Sequence, residues 1–190
     1  MAITLNGTAN TISGLAVGGV PDGTIDTDAL AAGAVTAAKR GAGAILQVLQ
    51  TTTSTLVSNT TTSYVDTGLT GNITPTSTSN KILILVCQAY ENKRSSTGNG
   101  GDIKLMRDST DLNLIVPGAG NSYGLYIFAA GVSNVSNYDV YNLSYLDSPS
   151  TTSQITYKTQ CVSYSDSNNA AFKTQPDSAK SFLTLMEVAG

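Results

Sequence analysis

The residues able to do chemistry are few, and their types narrow the possible reactions sharply. Histidine is absent, which removes the usual general base, the base of a nucleophilic triad and the commonest metal ligand together. Two glutamates, Glu91 and Glu187, stand beside eleven scattered aspartates. Glycoside cleavage needs two carboxylates held about 5–9.5 Å apart across the scissile bond. No spacing in the chain selects such a pair, although folding could assemble one, for instance Asp102 with Asp108. Asp22, Asp26 and Asp28 invite a calcium reading, yet their segment lacks the glycine and terminal glutamate of an EF-hand loop. They serve as well as turn and helix-cap acids. The sequence therefore assigns no catalytic residue, no metal ligand and no cofactor, and reads as a non-enzyme. Cys87 and Cys161 lie far apart, each inside an apolar strand pattern, ILVCQAY and KTQCVSY. Small buried hydrophobes are the reading of choice, with a disulfide as the alternative if their strands adjoin.

What remains is recognition chemistry. The segments 91–101 (ENKRSSTGNGG), 117–123 (PGAGNSY), 131–138 (GVSNVSNY) and 164–178 (YSDSNNAAFKTQPDS) are rich in Asn, Ser, Gly and Tyr. Such a mixture sets adaptable hydrogen bonds beside rigid rings, as binding loops on β-sandwiches do. It is equally the composition of solvated turns. Tyr90, Tyr123, Tyr138, Tyr164 and Phe172, with Asn92, are the candidate ligand-binding residues: at strand ends or in loops, a ring can lie against a sugar while an amide bonds its hydroxyls.

The elements that would position these loops are strands. AILQVLQ (44–50) alternates, and TSYVDTG with LTGNITP reads as two short strands around Gly68. KILILVCQAY (81–90) is apolar on both faces and predicts a central strand covered on each side. GDIKLMRDST and LNLIVPG predict a hairpin turning between Asp108 and Asp111, and YGLYIFAAG (123–131) is again two-faced. NYDVYNLSYLDS (137–148), QITYKTQCVSY (154–164) and SFLTLMEVA (181–189) complete the set. Eight or more strands without a strong helical pattern predict an all-β, antiparallel, jelly-roll-like β-sandwich.

That head begins at residue 44; residues 1–43 differ in kind. All twelve aromatic residues lie at Tyr64 or later, and the first 43 residues hold eight of the 18 glycines. The segment reads as an extended attachment or trimerisation arm, with too little apolar bulk to offset its own ordering entropy. Ile3, Leu5, Ile12, Leu15 and Val17 alternate with small polar residues, as in extended chain laid on a partner surface. Within TIDTDALAAGAVTAAKR (24–40) a short helix is predicted from near Asp28, with acids at its start and Lys39-Arg40 at its end. Its small-residue stripe, with Leu30 and Val35 as the larger members, can be hidden only between chains. A homotrimer follows as the expectation.

Charge is sparse, 12% of residues with a net of −3, and the ten cations are scattered. Nucleic acid is an unsuitable partner for such a surface, because phosphate binding needs clustered cations. No run approaches the roughly 18 apolar residues of a membrane span, and the opening MAITLNGTAN lacks the basic and apolar regions of a secretory signal.

STSNKILILV (77–86), LMRDST (105–110), SYLDSPSTTSQITYKTQ (144–160) and the final TLMEVAG, in that order, resemble a recurring head module of tailed-bacteriophage fibre proteins. ISGLAVGGVPDGTIDTDALAAGAVTAAK (12–39) resembles their small-residue shaft segments, as in cyanophages and other environmental phages. The resemblance implies a trimeric virion fibre or spike, assembled in the host cytoplasm. Its arm would attach to other virion proteins, and its head would adsorb to host surface polysaccharide. The shaft segment is short for a fibre, which keeps a capsid decoration protein, clamping capsomers through its arm, as the alternative.

Overall fold

The structure, a computed structural model, describes residues 4–6, 11–13, 35, 40–94, 99–112, 125–127, 135–165 and 169–190. The chain divides into two compact units, Met1–Arg40 and Gly41–Gly190. In the first, β1 (Thr4–Asn6) pairs antiparallel with β2 (Thr11–Ser13), setting Leu5 opposite Ile12. This segment is thus extended, as its alternation predicts, but its strand partner is its own chain. Val35 is exposed. Ile3, Leu15, Val17, Leu30 and the helix expected from Asp28 lie outside the described residues.

The second unit is an antiparallel two-sheet structure. Its strands are β3 (Ile45–Thr53), β4 (Val57–Asn59), β5 (Val65–Ile73), β6 (Lys81–Arg94), β7 (Asn99–Arg107), β8 (Thr110–Asp111) and β9 (Leu125–Ile127). β10 (Val135–Asp147), β11 (Ile155–Ser163), β12 (Ala171–Thr174) and β13 (Ser181–Val188) follow. The long strand β6 organises one sheet of six. β10 runs along one of its edges over nearly its whole length, while β13 and β12 share the other, backed by β3 and β4 respectively. The second sheet has β11 between β5 and β7, with β8 and β9 paired to the far edge of β7. The all-β antiparallel sandwich expected from the alternating segments is the fold observed.

The core forms where the period of two brings apolar side chains from both sheets together. Ile82, Ile84 and Val86 of β6 and Leu183 and Leu185 of β13 meet Leu69, Ile73, Ile103, Leu105, Ile155 and Tyr157 of the second sheet. Cys161 is fully buried among them, while Cys87 is exposed, and both thiols are free. The reading of both cysteines as buried thus holds for Cys161 alone. Cys87 sits one residue out of phase with Val86 and Gln88, so the pleat turns it to the opposite face.

Two local readings change. The segment around Gly68 is one continuous strand, because Gly68 takes a φ of 78° at a bulge that sets Thr67–Leu69 against Thr159. The Thr67 and Thr159 hydroxyls bond across it at 2.6 Å. The predicted hairpin after β7 turns at Asp108 (φ 53°), and β8 is only two residues long.

Polar ties join the two sheets at their ends. Asp147 of β10 accepts hydrogen bonds from both the Arg107 guanidinium (2.9 and 3.0 Å) and the Tyr157 hydroxyl (2.6 Å). At the opposite end the Asn59 amide donates to the carbonyls of Ser63 and Cys161 at 2.8 and 2.9 Å, while its oxygen accepts from Thr61. Asn59→Ala strands the Cys161 carbonyl in a buried site. The expected loss is about 2 kcal/mol, since each unsatisfied buried group costs about 1–3; urea unfolding of the variant measures it.

Candidate functional site

Of the candidate recognition residues the structure brings Tyr90 and Tyr138 to one groove and sets Asn92 and Phe172 in the core. Tyr90 and Asn92 lie within β6, not at its end, and Phe172 lies in β12; all three are buried. The Tyr90 and Phe172 rings stack in parallel with centroids 5.3 Å apart, inside the core. The Phe172 ring, fully buried, cannot meet a sugar from that position, while Tyr90, though largely buried, borders the groove beside Tyr138. The two stacked rings alternate in phase with Ile84 and Val86 and with Leu183 across the strands, so the core-facing pleat claims them. Tyr164 is half-buried. Tyr138 is exposed at 56% and borders a shallow groove of about 360 Å³ with Val140, Pro176 and Ala179. Tyr123 lies outside the described residues.

The buried carboxylates are committed to structure. Glu187, fully buried in β13, accepts from the Thr76 backbone N–H (2.6 Å), the Thr76 hydroxyl (2.8 Å), Asn80 (2.6 Å) and Gln47 (2.6 Å). Burial pushes its pKa up, but these donors together hold it below the ordinary glutamate value. Glu91 is bound by Ser136 and by Lys173 at 2.7 Å; burial again opposes, and the ammonium and hydroxyl hold the carboxyl below its ordinary value. Asp102 takes the Tyr64 hydroxyl at 2.8 Å, and Lys104 stands 4.1 Å above the Tyr64 ring while bridging to Asp111. Burial raises the Asp102 pKa against those partners, and burial together with that bond raises Tyr64 as well. Asp108 accepts from the Thr156 N–H in its turn, so the Asp102–Asp108 pairing considered from sequence finds its members with separate partners. Among the described residues no group of three or more acids or cysteines could hold a metal; Asp22, Asp26 and Asp28 are not among them.

The outward faces of the two sheets differ in kind. That of the second sheet carries ion pairs, Lys158 with Asp66 at 2.8 Å and Lys104 with Asp111 at 3.0 Å. That of the six-stranded sheet is uncharged from Leu83 to Ala89 on β6 and across the matching positions of β13, β3 and β10. The strand register fixes its rows. Val48, Met186, Leu83 and Leu146 stand side by side across four strands, Gln50, Thr184, Leu85 and Ser144 form the next row, and Thr52, Phe182, Cys87 and Asn142 the third. A shallow groove of about 590 Å³ runs over the second and third rows. The prediction that β6 is covered on both faces therefore fails for the described residues of one chain: its inward face is buried, and its outward face is half-buried to exposed. Sequence reading missed this face, although the two-faced pattern of 81–90 and the apolar outward positions of 181–189 are its signal. No helix among the described residues is long and apolar enough to cross a membrane.

No protein-family model matches the chain, and no curated protein does. Among solved structures, the VP2 subviral particle of infectious bursal disease virus is similar over 76% of this chain and 33% of that chain, with 14% identity and a TM-score of 0.38. An aspartate-to-asparagine mutant of that virus's VP2, in T=1 particles, is similar over 75% and 36%, with 14% identity and a TM-score of 0.31. The chain spans about a third of the length of these VP2 chains.

Proposed function

We propose that this chain is a non-catalytic structural component of a phage virion, a homotrimeric tail fibre or spike whose arm attaches to other virion proteins and whose head is displayed. The observation that carries the reading is the division of labour in the head. Its buried carboxylates close structural ties, and one sheet presents an uncharged, apolar outward face, as a building block does. The resemblance of residues 12–39 and of the head segments to phage fibres supports the same reading. Adsorption to a host polysaccharide would then rest on Tyr138 and the loops around it. Three heads on one particle would make weak single-site affinity sufficient through effective concentration.

Labelling intact particles with antibody against the head tests the placement: decoration of the tail is expected, and particles free of label overturn the virion reading. Tyr138→Ala should lower particle adsorption while changing stability by less than about 1 kcal/mol, the range for exposed side chains. Capsid decoration is the second reading. The burial of Asn92 and Phe172 favours it, because it withdraws two candidate ligand contacts from solvent. Label on the capsid with unchanged adsorption of the Tyr138 variant would establish it over the first.

A further inference from the structure

We propose that the outward face of the six-stranded sheet is where copies of this chain meet, three such faces closing around a common axis; this rests on the homotrimer reading and assigns its contact surface. Large exposed apolar side chains are concentrated at that face. Ile45 (43%) and Val48 (55%) stand outward on β3, and Val140 (46%) and Leu146 (45%) stand outward on β10. These are the two opposite edge strands of the sheet at that end. In a closed ring, the β10 edge of one copy arrives at the β3 edge of the next.

The dimensions agree with three copies. Four strands about 4.8 Å apart make a face roughly 19 Å wide. Three such faces form a triangular prism whose axis lies about 5.5 Å from each sheet, close to half the roughly 10 Å at which sheets pack face to face. Side chains of the three sheets then fill the prism without a channel. From Val140 to Leu146 the face is about 20 Å long at roughly 3.3 Å per residue.

Charge selects the occupant. Between Lys81 at one end and the paired Glu91 and Lys173 at the other the face is uncharged, so copies meeting there bury no unpaired ion, whereas a charged partner would leave its own charges desolvated. The polar side chains of the second row reach partners within the face, as Gln50 does in donating to the Thr184 hydroxyl at 3.0 Å. The register also places an all-apolar row, Val48 to Leu146, where neighbouring copies would join.

Cys87 provides a probe inside this face. It is exposed in the single chain, and the other thiol, Cys161, is fully buried with its pKa pushed up to about 12 by desolvation. The experiment combines light scattering of the full-length protein with its rate of alkylation by N-ethylmaleimide, the modified residue being identified by mass. Val48→Asp and Leu146→Asp are compared, each verified by a cooperative melt. The expected result is a trimer in which Cys87 reacts at least about tenfold more slowly than in the two variants, which run as monomers. A trimer whose Cys87 reacts as fast as in the monomeric variants overturns the face and leaves the trimer standing. Variants that remain trimeric with Cys87 protected also overturn it, and a wild-type monomer or dimer overturns both the face and the homotrimer.

Discussion

Gly101→Ala is expected to destabilise the head by about 4 kcal/mol, beyond the usual 1–3 for overpacking because nothing nearby can yield. A Cβ at Gly101 would stand 2.0 Å from Cδ2 and 2.6 Å from Cγ of Phe172. That ring is fully buried and stacked on Tyr90, so it cannot turn aside without opening the core. The clash also lies between sheets, since Gly101 belongs to β7 and Phe172 to β12. Guanidinium unfolding of the head should locate the loss as a shift of midpoint at unchanged slope. Phe172→Leu combined with Gly101→Ala should recover part of it, and failure of Gly101→Ala to move the midpoint would refute the packing described.

Glu187→Ala is expected to cost about 4 kcal/mol, because charge-assisted bonds are each worth about 1.5–3 and four donors lose their acceptor at once. The donors come from β3 (Gln47) and from the 74–80 turn (Thr76, Asn80), so the strand edge and the turn loosen together. The same carboxylate sets an acid limit. Its folded pKa lies below its ordinary value, so its stabilisation is complete above the ordinary glutamate range and is lost as pH falls through the folded pKa. Glu91, also held low, acts in the same direction. Melting temperature should therefore fall between about pH 5 and 3, and the fall should be shallower in Glu187→Gln. An equally steep fall in that variant would remove Glu187 as the cause.

The all-β antiparallel sandwich was legible because strand alternation is a local property. β11 alternates Ile155, Tyr157, Thr159 and Cys161 inward with Thr156, Lys158 and Gln160 outward, and that pattern can be read without knowing the partner strands. The candidate site was far less legible. Tyr90 and Phe172 look like loop-edge rings in sequence, and only the pairing of β12 onto the far half of β6 makes them core. Nothing local in AFKT announces that pairing. β6 was read correctly as a central strand, yet its second apolar face has no cover among the described residues of its own chain. Sequence registers the burial a strand needs and leaves open which molecule supplies it. Gly68 misled for a related reason: a glycine that ends a strand and one that permits a bulge within it look alike until the opposite strand is known.

The pairing of β3 with β13 also governs when the head can exist. Gln50 and Thr184, bonded across that ladder, are 134 residues apart, and Gly43 and Ala44 bond to Ala189 beside them. β6 itself gains one of its flanking strands only from β13 and β12. Structures dominated by such distant pairings form slowly, since loop-closure entropy is spent before the contacts return it. A nascent chain must hold β3, the earliest strand of the head, without its partner until residues 181–188 have left the ribosome. The sheet that carries the uncharged face therefore completes last, and only finished chains display it.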